Sequence, residues 1–337
     1  MTDGATKVAS YRAIAGLESY HRGMERMVRT TAPWRLRTRS IELGARTLVM
    51  GVVNITPDSF SDGGSFLATE AAVARCMQCI DEGADLLDLG AESTRPGSRA
   101  GGPDAAVSAE EEQERLLPVL EGILMALPDA VISVDTYRAA TARAALEAGA
   151  EIVNNVSGFT WDPAQANVCA EFGAGVVLMH TRGRPEEWLT QAQLEPGALV
   201  ATVREGLAAG LDAARSAGIA EDRIVLDPGY GFGKRLDENY TLLAHQSELL
   251  SLGRPLLAGL SRKSFLGQTL AGLYGGSPAA VDRRETASVA AMTAAILNGA
   301  SIVRVHEVRP AVEAARIADA VLEAGLGSEF PTLTSRH

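Results

Sequence analysis

Aspartate, asparagine, arginine and histidine recur directly after or within short apolar runs in this chain, and that position suggests chemistry. Asn54 follows LVMGVV, Asp88 lies in LLDL ahead of AESTRPGSR, Asp135 follows VISV, and Asn154 and Asn155 follow EIV. Met179 and His180 close GVVLM, Asp227 follows RIVL ahead of PGYGFGK, SRKSF follows LLAGL, and Arg304 and His306 end the run SIVRV. Two carboxylates, Asp135 and Asp227, together with the amides Asn154 and Asn155, can satisfy a flat heterocycle that presents several N–H donors and ring acceptors. Arg95, Arg262, Lys263, Arg304 and His306 supply positive charge, and glycine-rich turns bring backbone N–H groups close. The set suits a polar heteroaromatic ligand that carries phosphate. With Asn54 near an anionic leaving group, Mg2+ is an expected cofactor, held chiefly by phosphate and water because a single amide makes a weak cage.

Each of these residues also has a plainer reading. Asp135 can cap a helix beginning near Tyr137, and Asp227 can open the turn at PGYGFG. His180 can be a satisfied rim histidine, while Arg182 and Arg184 read as solvated loop residues. Their accumulation behind successive apolar runs is harder to explain by folding alone and points to a shared pocket. The sequence has no GxSxG elbow, no HExxH and no His/Cys cluster at zinc spacing, which disfavours serine-triad hydrolysis and transition-metal catalysis. What is left is positional chemistry, in which charge is neutralised at a departing phosphate and a second reactant is held in place.

The elements that must position these groups repeat. Apolar runs at 48–53, 86–89, 131–134, 151–153, 175–179, 223–226, 256–260 and 301–305 are short and mostly β-branched, as strands are. Between them lie segments with apolar positions three and four apart, such as YRAATARAALEAG and RETASVAAMTAAILNG, which predict helices. Several end in DEGA, EAGA or NGA, with glycine where a helix passes into the next strand. Eight βα units across 47–325 fit a closed (β/α)8 barrel of the TIM type, usually about 250 residues long. An open doubly wound sheet is the alternative, but GxGxxG is absent after the first run. The last helix is expected over 309–325, followed by a tail at 326–337. Residues 1–46 form an arginine-rich N-terminal extension, with a helix expected around 10–28. Its segment WRLRTRSIEL predicts a strand or hairpin that caps the bottom of the barrel.

Composition narrows the partners. The chain has 337 residues, of which 46% are hydrophobic and 22% charged, so it can bury a core and is not expected to be disordered. A net charge of −11 argues against a broad nucleic-acid-binding surface but permits a local basic pocket. No apolar stretch approaches the roughly 18–20 residues that span a bilayer, and a secretory signal pattern is lacking, so the cytoplasm is the expected compartment. Cys76, Cys79 and Cys169 cannot all pair with one another, and the CxxC spacing of the first two reads as the buried face of a helix.

Eight segments in order resemble the signatures of the dihydropteroate synthase family: GVVNITPDSFSDGG (51–64), DLGAESTRPGS (88–98), SVDT (133–136), VNNVSG (153–158), LMHTRG (178–183), DPGYGFGK (227–234), GLSRKSFLG (259–267) and VRVHEV (303–308). The resemblance implies a (β/α)8 barrel that joins 6-hydroxymethyl-7,8-dihydropterin diphosphate to 4-aminobenzoate, releasing diphosphate in folate synthesis. It further implies that Asp135, Asn154, Asp227 and Lys263 bind the pterin, with Met179 and Phe232 packing on its ring. Asn54, Arg95, Arg304 and His306 would meet the diphosphate, with Asn54 also contacting Mg2+. Thr94, Arg95, Pro96, Phe232, Ser261 and Lys263 would form the 4-aminobenzoate site, and the TPDSF loop at 56–60 would close over the departing group. Sulfonamide binding and a homodimer also follow from the resemblance. A related methyltransferase domain is disfavoured by the ESTRPGS and SRKSF segments. Three positions depart from the family's usual residues: Asn155, where Asp is usual, Thr181 and Glu307. Asn155 removes a negative charge expected beside the pterin and leaves room for a non-catalytic homologue; the other two look peripheral.

Overall fold

The computed structural model describes residues 30–55, 64–93, 98, 100 and 107–327. Two short strands, β1 (Ala32–Arg35) and β2 (Ser40–Leu43), form an antiparallel hairpin, with Ala32 opposite Leu43 and Arg35 opposite Ser40. Eight parallel strands follow: β3 (Leu48–Asn54), β4 (Leu86–Gly90), β5 (Ile132–Asp135), β6 (Ile152–Asn155), β7 (Gly175–Met179), β8 (Ile224–Asp227), β9 (Leu256–Ala258) and β10 (Ala300–Val305). They pair in chain order, and β10 returns to β3 with Ile302 opposite Leu48 and Val305 opposite Gly51. That last pairing closes the barrel and sets aside the open sheet. The helix expected around 10–28 and the tail beyond 327 lie outside the described residues.

The helices of the outer ring are α1 (Gly64–Asp81), α2 (Ala109–Ala126), α3 (Ala139–Glu147), α4 (Ala164–Phe172), α5 (Pro196–Ser216), α6 (Leu236–Ala244), α7 (Ser264–Thr269), α8 (Glu285–Leu297) and α9 (Val308–Gly327). Gly83, Gly149 and Gly299, the glycines of the DEGA, EAGA and NGA phrases, all lie at positive φ, where a helix end turns directly towards a strand. Alternate residues of each strand, such as Val49, Val53, Leu87, Leu89, Val134 and Val176, pack outward against these helices. Cys76 and Cys79 belong to this layer, both fully buried and unpaired; burial pushes the Cys76 thiol up to about 12, so the CxxC spacing is part of the core.

A second core lies inside the barrel. Leu48, Met50, Leu86, Ile152, Val177, Val225, Leu257 and Ile302 fill its lower half, and Trp34, Leu36 and Leu43 of the hairpin segment pack onto them from below. The fit is close: a Cβ on Gly175 would stand 2.6 Å from Leu36 Cδ2. Trp34 is 1% exposed, and its indole N–H donates to the Arg223 carbonyl at 2.9 Å, so a large apolar ring is buried without stranding its polar atom. Arg223 in turn donates to the carbonyls of Leu36 and Gly173. Replacing Trp34 with Ala is expected to cost about 3–5 kcal/mol in urea unfolding, with Trp34→Phe losing markedly less because it keeps most of the buried volume.

Candidate active site

Side-chain alternation selects the residues that face the upper half of the barrel. Leu86 belongs to the lower interior, so Asp88, two residues on, faces the same interior one layer higher. The same step leads from Ile152 to Asn154, Val177 to Met179, Val225 to Asp227 and Ile302 to Arg304, and two such steps lead from Met50 to Asn54. Asp135 stands opposite Asn154 in the β5–β6 register, and Met179 opposite Asp227 in β7–β8. The barrel is therefore apolar below and polar above, and the polar layer lies at the C-terminal ends of the strands.

The polar layer is knitted by shared acceptors. Arg304 Nε donates to Asp88 Oδ2 at 2.6 Å, and its terminal nitrogen donates to Asp135 Oδ2 at 2.7 Å. Asn154 Nδ2 donates to the same Asp88 oxygen at 3.0 Å. Asp88 is fully buried, and its other oxygen, Oδ1, has no hydrogen-bond partner. Burial alone would lower the pKa of the Arg304 guanidinium, but Asp88 and Asp135 outweigh it and hold it above its ordinary value. Burial pushes the Asp135 carboxyl up, with Asp88 adding to the rise and Arg304 opposing it. Asp227 is also raised by burial, against the Gly229 N–H and Lys263. Lys263 is lowered to about 7 by burial, with Asp227 pulling the other way. Its ammonium stands 4.0 Å from the centroid of the Phe232 ring, and Phe232 meets Trp188 edge-on at 5.0 Å. Phe232 and Met179 share an apolar patch with Tyr137, Val156 and Trp161, a surface suited to the face of a heterocycle. Gly259 keeps space open beside the carboxylate: a Cβ there would lie 3.8 Å from Asp227 Oδ2 and 4.0 Å from Arg304 Cβ.

At the rim, Ser261 Oγ accepts the His306 backbone N–H at 3.2 Å and lies 3.1 Å from His306 Nδ1. Asn54 ends β3 half-buried, with Gly90 opposite it. No group of three or more His, Cys, Asp or Glu that could hold a metal occurs among the described residues. Among the described residues at this rim Asn54 offers an amide oxygen, a hard donor compatible with Mg2+, an ion that keeps several waters and shares itself with phosphate oxygens. Thr94, Arg95, Pro96 and the TPDSF segment lie outside the described residues.

Several expectations change. Asp135 does not cap the following helix; Asp162 Oδ2 accepts the Ala139 N–H at 2.7 Å instead, leaving Asp135 to Arg304. Asp227 does both jobs, since its Oδ1 accepts the Gly229 N–H at 2.7 Å in the turn while its side chain faces the interior. Arg182 is not solvated: it donates to Glu238 and to the Gly233 and Ala192 carbonyls, with its side chain 11% exposed. Arg262, read from the sequence as one of the pocket's cations, pairs with Glu307 at the rim, both side chains 37% exposed. Asn155 is fully buried on the opposite face of β6 from Asn154. Its Oδ1 accepts the Ser157 and Phe159 N–H groups at 2.8 and 2.9 Å, and its Nδ2 donates to Gln165 Oε1 at 2.5 Å. It shapes a turn and does not bear on the charge of the pocket, which removes the ground for a non-catalytic homologue.

Two contributors carried weaker signals in the sequence. Asp88 takes no role from the resemblance, although a lone carboxylate inside the apolar run LLDL was visible. Lys234, the last residue of PGYGFGK, points its ammonium at the carbonyls of Gly229, Phe232 and His180, at 2.8, 3.2 and 3.3 Å. It thereby holds the loop that carries Asp227 and Phe232. The His180 N–H donates to the Asp227 carbonyl at 3.0 Å, and Gly229 passes so close that a Cβ there would lie 1.9 Å from the His180 oxygen. The imidazole is buried with Nδ1 unpartnered, and burial holds its pKa well below 6.5, with Lys234 and Arg182 adding to the effect. The unfolded chain therefore binds a proton at His180 that the folded chain refuses, and stability from this group is lost as pH falls below about 6.5. The wild-type unfolding free energy, measured against His180→Gln, is expected to fall between pH 7 and 5 by up to about 1.4 kcal/mol per pH unit.

Comparison with known proteins agrees with this geometry. The pterin-binding enzyme family profile matches residues 50–306. The chain is 41% identical over 278 residues to the dihydropteroate synthase of Synechocystis sp., covering 82% of this chain and 91% of that protein. It is 44% identical over 277 residues to the Mycobacterium leprae dihydropteroate synthase, covering 82% and 94%. The Xanthomonas albilineans dihydropteroate synthase, solved with 4-aminobenzoic acid, superposes with a TM-score of 0.76 at 40% identity, covering 87% of this chain and 98% of that one. A closed barrel with a polar upper interior, matched along most of its length by these proteins, places the chain in the dihydropteroate synthase family of pterin-binding enzymes.

Proposed function

We propose that the upper half of the barrel condenses 6-hydroxymethyl-7,8-dihydropterin diphosphate with 4-aminobenzoate to give 7,8-dihydropteroate and diphosphate, through the residues that follow. The observation that supports this assignment most is the bridge from Asp88 through Arg304 to Asp135, standing among Asn154, Asp227 and Lys263. It combines acceptors for a guanidine-like ring edge with cations for an anionic leaving group.

Asp227 and Asp135 accept hydrogen bonds from the pterin, Asn154 contributes its carbonyl, and Lys263 donates to the ring oxygen. Met179 and Phe232 pack against the ring face. Arg304 and His306, with Asn54 and Arg95, meet the diphosphate and stabilise the charge that grows as the C–O bond lengthens. Asn54 would hold Mg2+ together with the diphosphate, and the ion would supply further charge neutralisation there. The breaking C–O bond leaves its electron pair on diphosphate. The amine of 4-aminobenzoate, held by Thr94, Arg95, Pro96, Ser261, Phe232 and Lys263, forms the C–N bond and releases its proton to diphosphate or water. Placement of the amine at the carbon that diphosphate leaves is what the second reactant requires, since an aromatic amine needs no side-chain base before attack. Sulfonamides, which resemble 4-aminobenzoate, compete for the same place.

No helix among the described residues is long and apolar enough to cross a membrane, and a cytoplasmic location accords with small-molecule substrates. A homodimer, as the family resemblance implies, is part of the same proposal. Purified protein supplied with both substrates and Mg2+ is expected to release dihydropteroate and diphosphate in equal amounts; folded protein that makes neither would sink the proposal. Arg304→Met is expected to weaken calorimetric binding of the pterin diphosphate by about 1.5–3 kcal/mol, the range for a hydrogen bond to a charged group, beyond whatever the free pterin loses because Asp135 is left without its Arg304 partner. Equal losses for the two ligands would contradict the role given to Arg304.

A further inference from the structure

The turn between β9 and α7 carries Ser261 and Lys263 on either side of Arg262, and Arg262 has φ +61°, in the left-handed region that a residue with a long side chain rarely enters. A backbone held there is strained and persists only where its surroundings impose it. At Arg262 the restraint comes from the first turn of α8, which is remote in sequence. The Arg262 N–H donates to Ser288 Oγ at 2.9 Å, and the Arg262 carbonyl accepts from the Arg284 guanidinium at 3.0 Å. Both polar groups of the strained residue are thus taken up by two residues one helical turn apart. Those two residues are themselves fixed: Ser288 Oγ donates to the Arg284 carbonyl at 2.7 Å, and Arg284 Nε donates to the Ala279 carbonyl at 2.8 Å. Ser288 is buried. The Arg262 side chain pairs with Glu307, away from Lys263, which faces the Phe232 ring.

We propose that Ser288 and Arg284 are positioning residues, which hold the Arg262 peptide in its left-handed conformation and so aim Ser261 and Lys263 into one cavity. The inference rests on the roles given above to Ser261 and Lys263. Neither Ser288 nor Arg284 touches a reactant; each acts through the backbone of Arg262. Removing the Ser288 hydroxyl leaves the Arg262 N–H without its acceptor and lets φ relax towards negative values, which re-aims both neighbours. Glycine at 262 carries no such strain, so the turn then needs less restraint.

The test uses the full-length protein in four forms: wild type, Ser288→Ala, Ser288→Thr and Thr293→Ala. Thr293 makes the same kind of bond back to the preceding turn of α8, to the Val289 carbonyl at 2.9 Å, without reaching Arg262, and serves as the control for a purely helical effect. Ser288→Ala is expected to lower kcat/KM by about tenfold, one lost hydrogen bond's worth. Ser288→Thr, which keeps the hydroxyl, recovers most of the loss, and Thr293→Ala matches wild type. In an Arg262→Gly background, Ser288→Ala is expected to cost clearly less than in the wild-type background. A separate readout does not depend on turnover: the rate of Lys263 acylation, followed by mass spectrometry across pH 6–9, is expected to shift in Ser288→Ala and not in Thr293→Ala. Unchanged acylation and unchanged kinetics in Ser288→Ala overturn the proposal, as does an equal loss in Thr293→Ala. If acylation shifts only in Ser288→Ala while kinetics do not change, the positioning of Lys263 stands and the role assigned to Lys263 in the reaction fails instead.

Discussion

Charged groups inside a barrel are tolerated only where each finds a partner, and the arginine that reaches both Asp88 and Asp135 meets that condition for these two carboxylates. A carboxylate in so dry a place tends to take up a proton, and a guanidinium between two of them works against that tendency. An apolar filling of equal volume would serve stability as well or better. The polar layer is therefore better explained by what it binds than by the fold it belongs to. Asn154 shares the Asp88 oxygen with Arg304, so the amide of β6 and the guanidinium of β10 are joined at one buried atom.

Around that layer the structure uses backbone devices to hold side chains in place. The loop after β8 is gathered by one lysine ammonium on three carbonyls, and the loop after β9 by a serine and an arginine from α8. Both loops carry residues that face the pocket, and in each case the restraint comes from a residue that does not itself need to touch a ligand. A net charge of −11 is distributed over the chain, while the upper interior pairs the cations of Arg304 and Lys263 with the carboxylates of Asp88, Asp135 and Asp227.

Much of this was legible in the residues. Strands buried on both faces read as continuous apolar runs, and that pattern marked all eight barrel strands to within two residues at either end. The polar residue behind each run located the rim. Partners distant in sequence were harder to read. Whether Asp135 caps a helix or binds Arg304 depends on Asp162 taking the cap, and the sequence around Asp135 carries no sign of that. Asn154 and Asn155 look alike as letters, yet the pleat sends one into the pocket and the other into a turn. A one-residue difference in register decides the function of each, and only pairing with the neighbouring strands fixes it. Ser288 and Arg284 sit in a helix whose pattern says nothing of the strained peptide they restrain.

The hairpin beneath the barrel has a kinetic consequence. Trp34, Leu36 and Leu43 stop its lower end, so the polar layer cannot be reached from below. With that end closed by a packed hairpin, a molecule lying among Asp135, Asn154 and Asp227 would have to come and go past whatever lay over it, and the depth at which each group sits would bear on the order of events in a turnover.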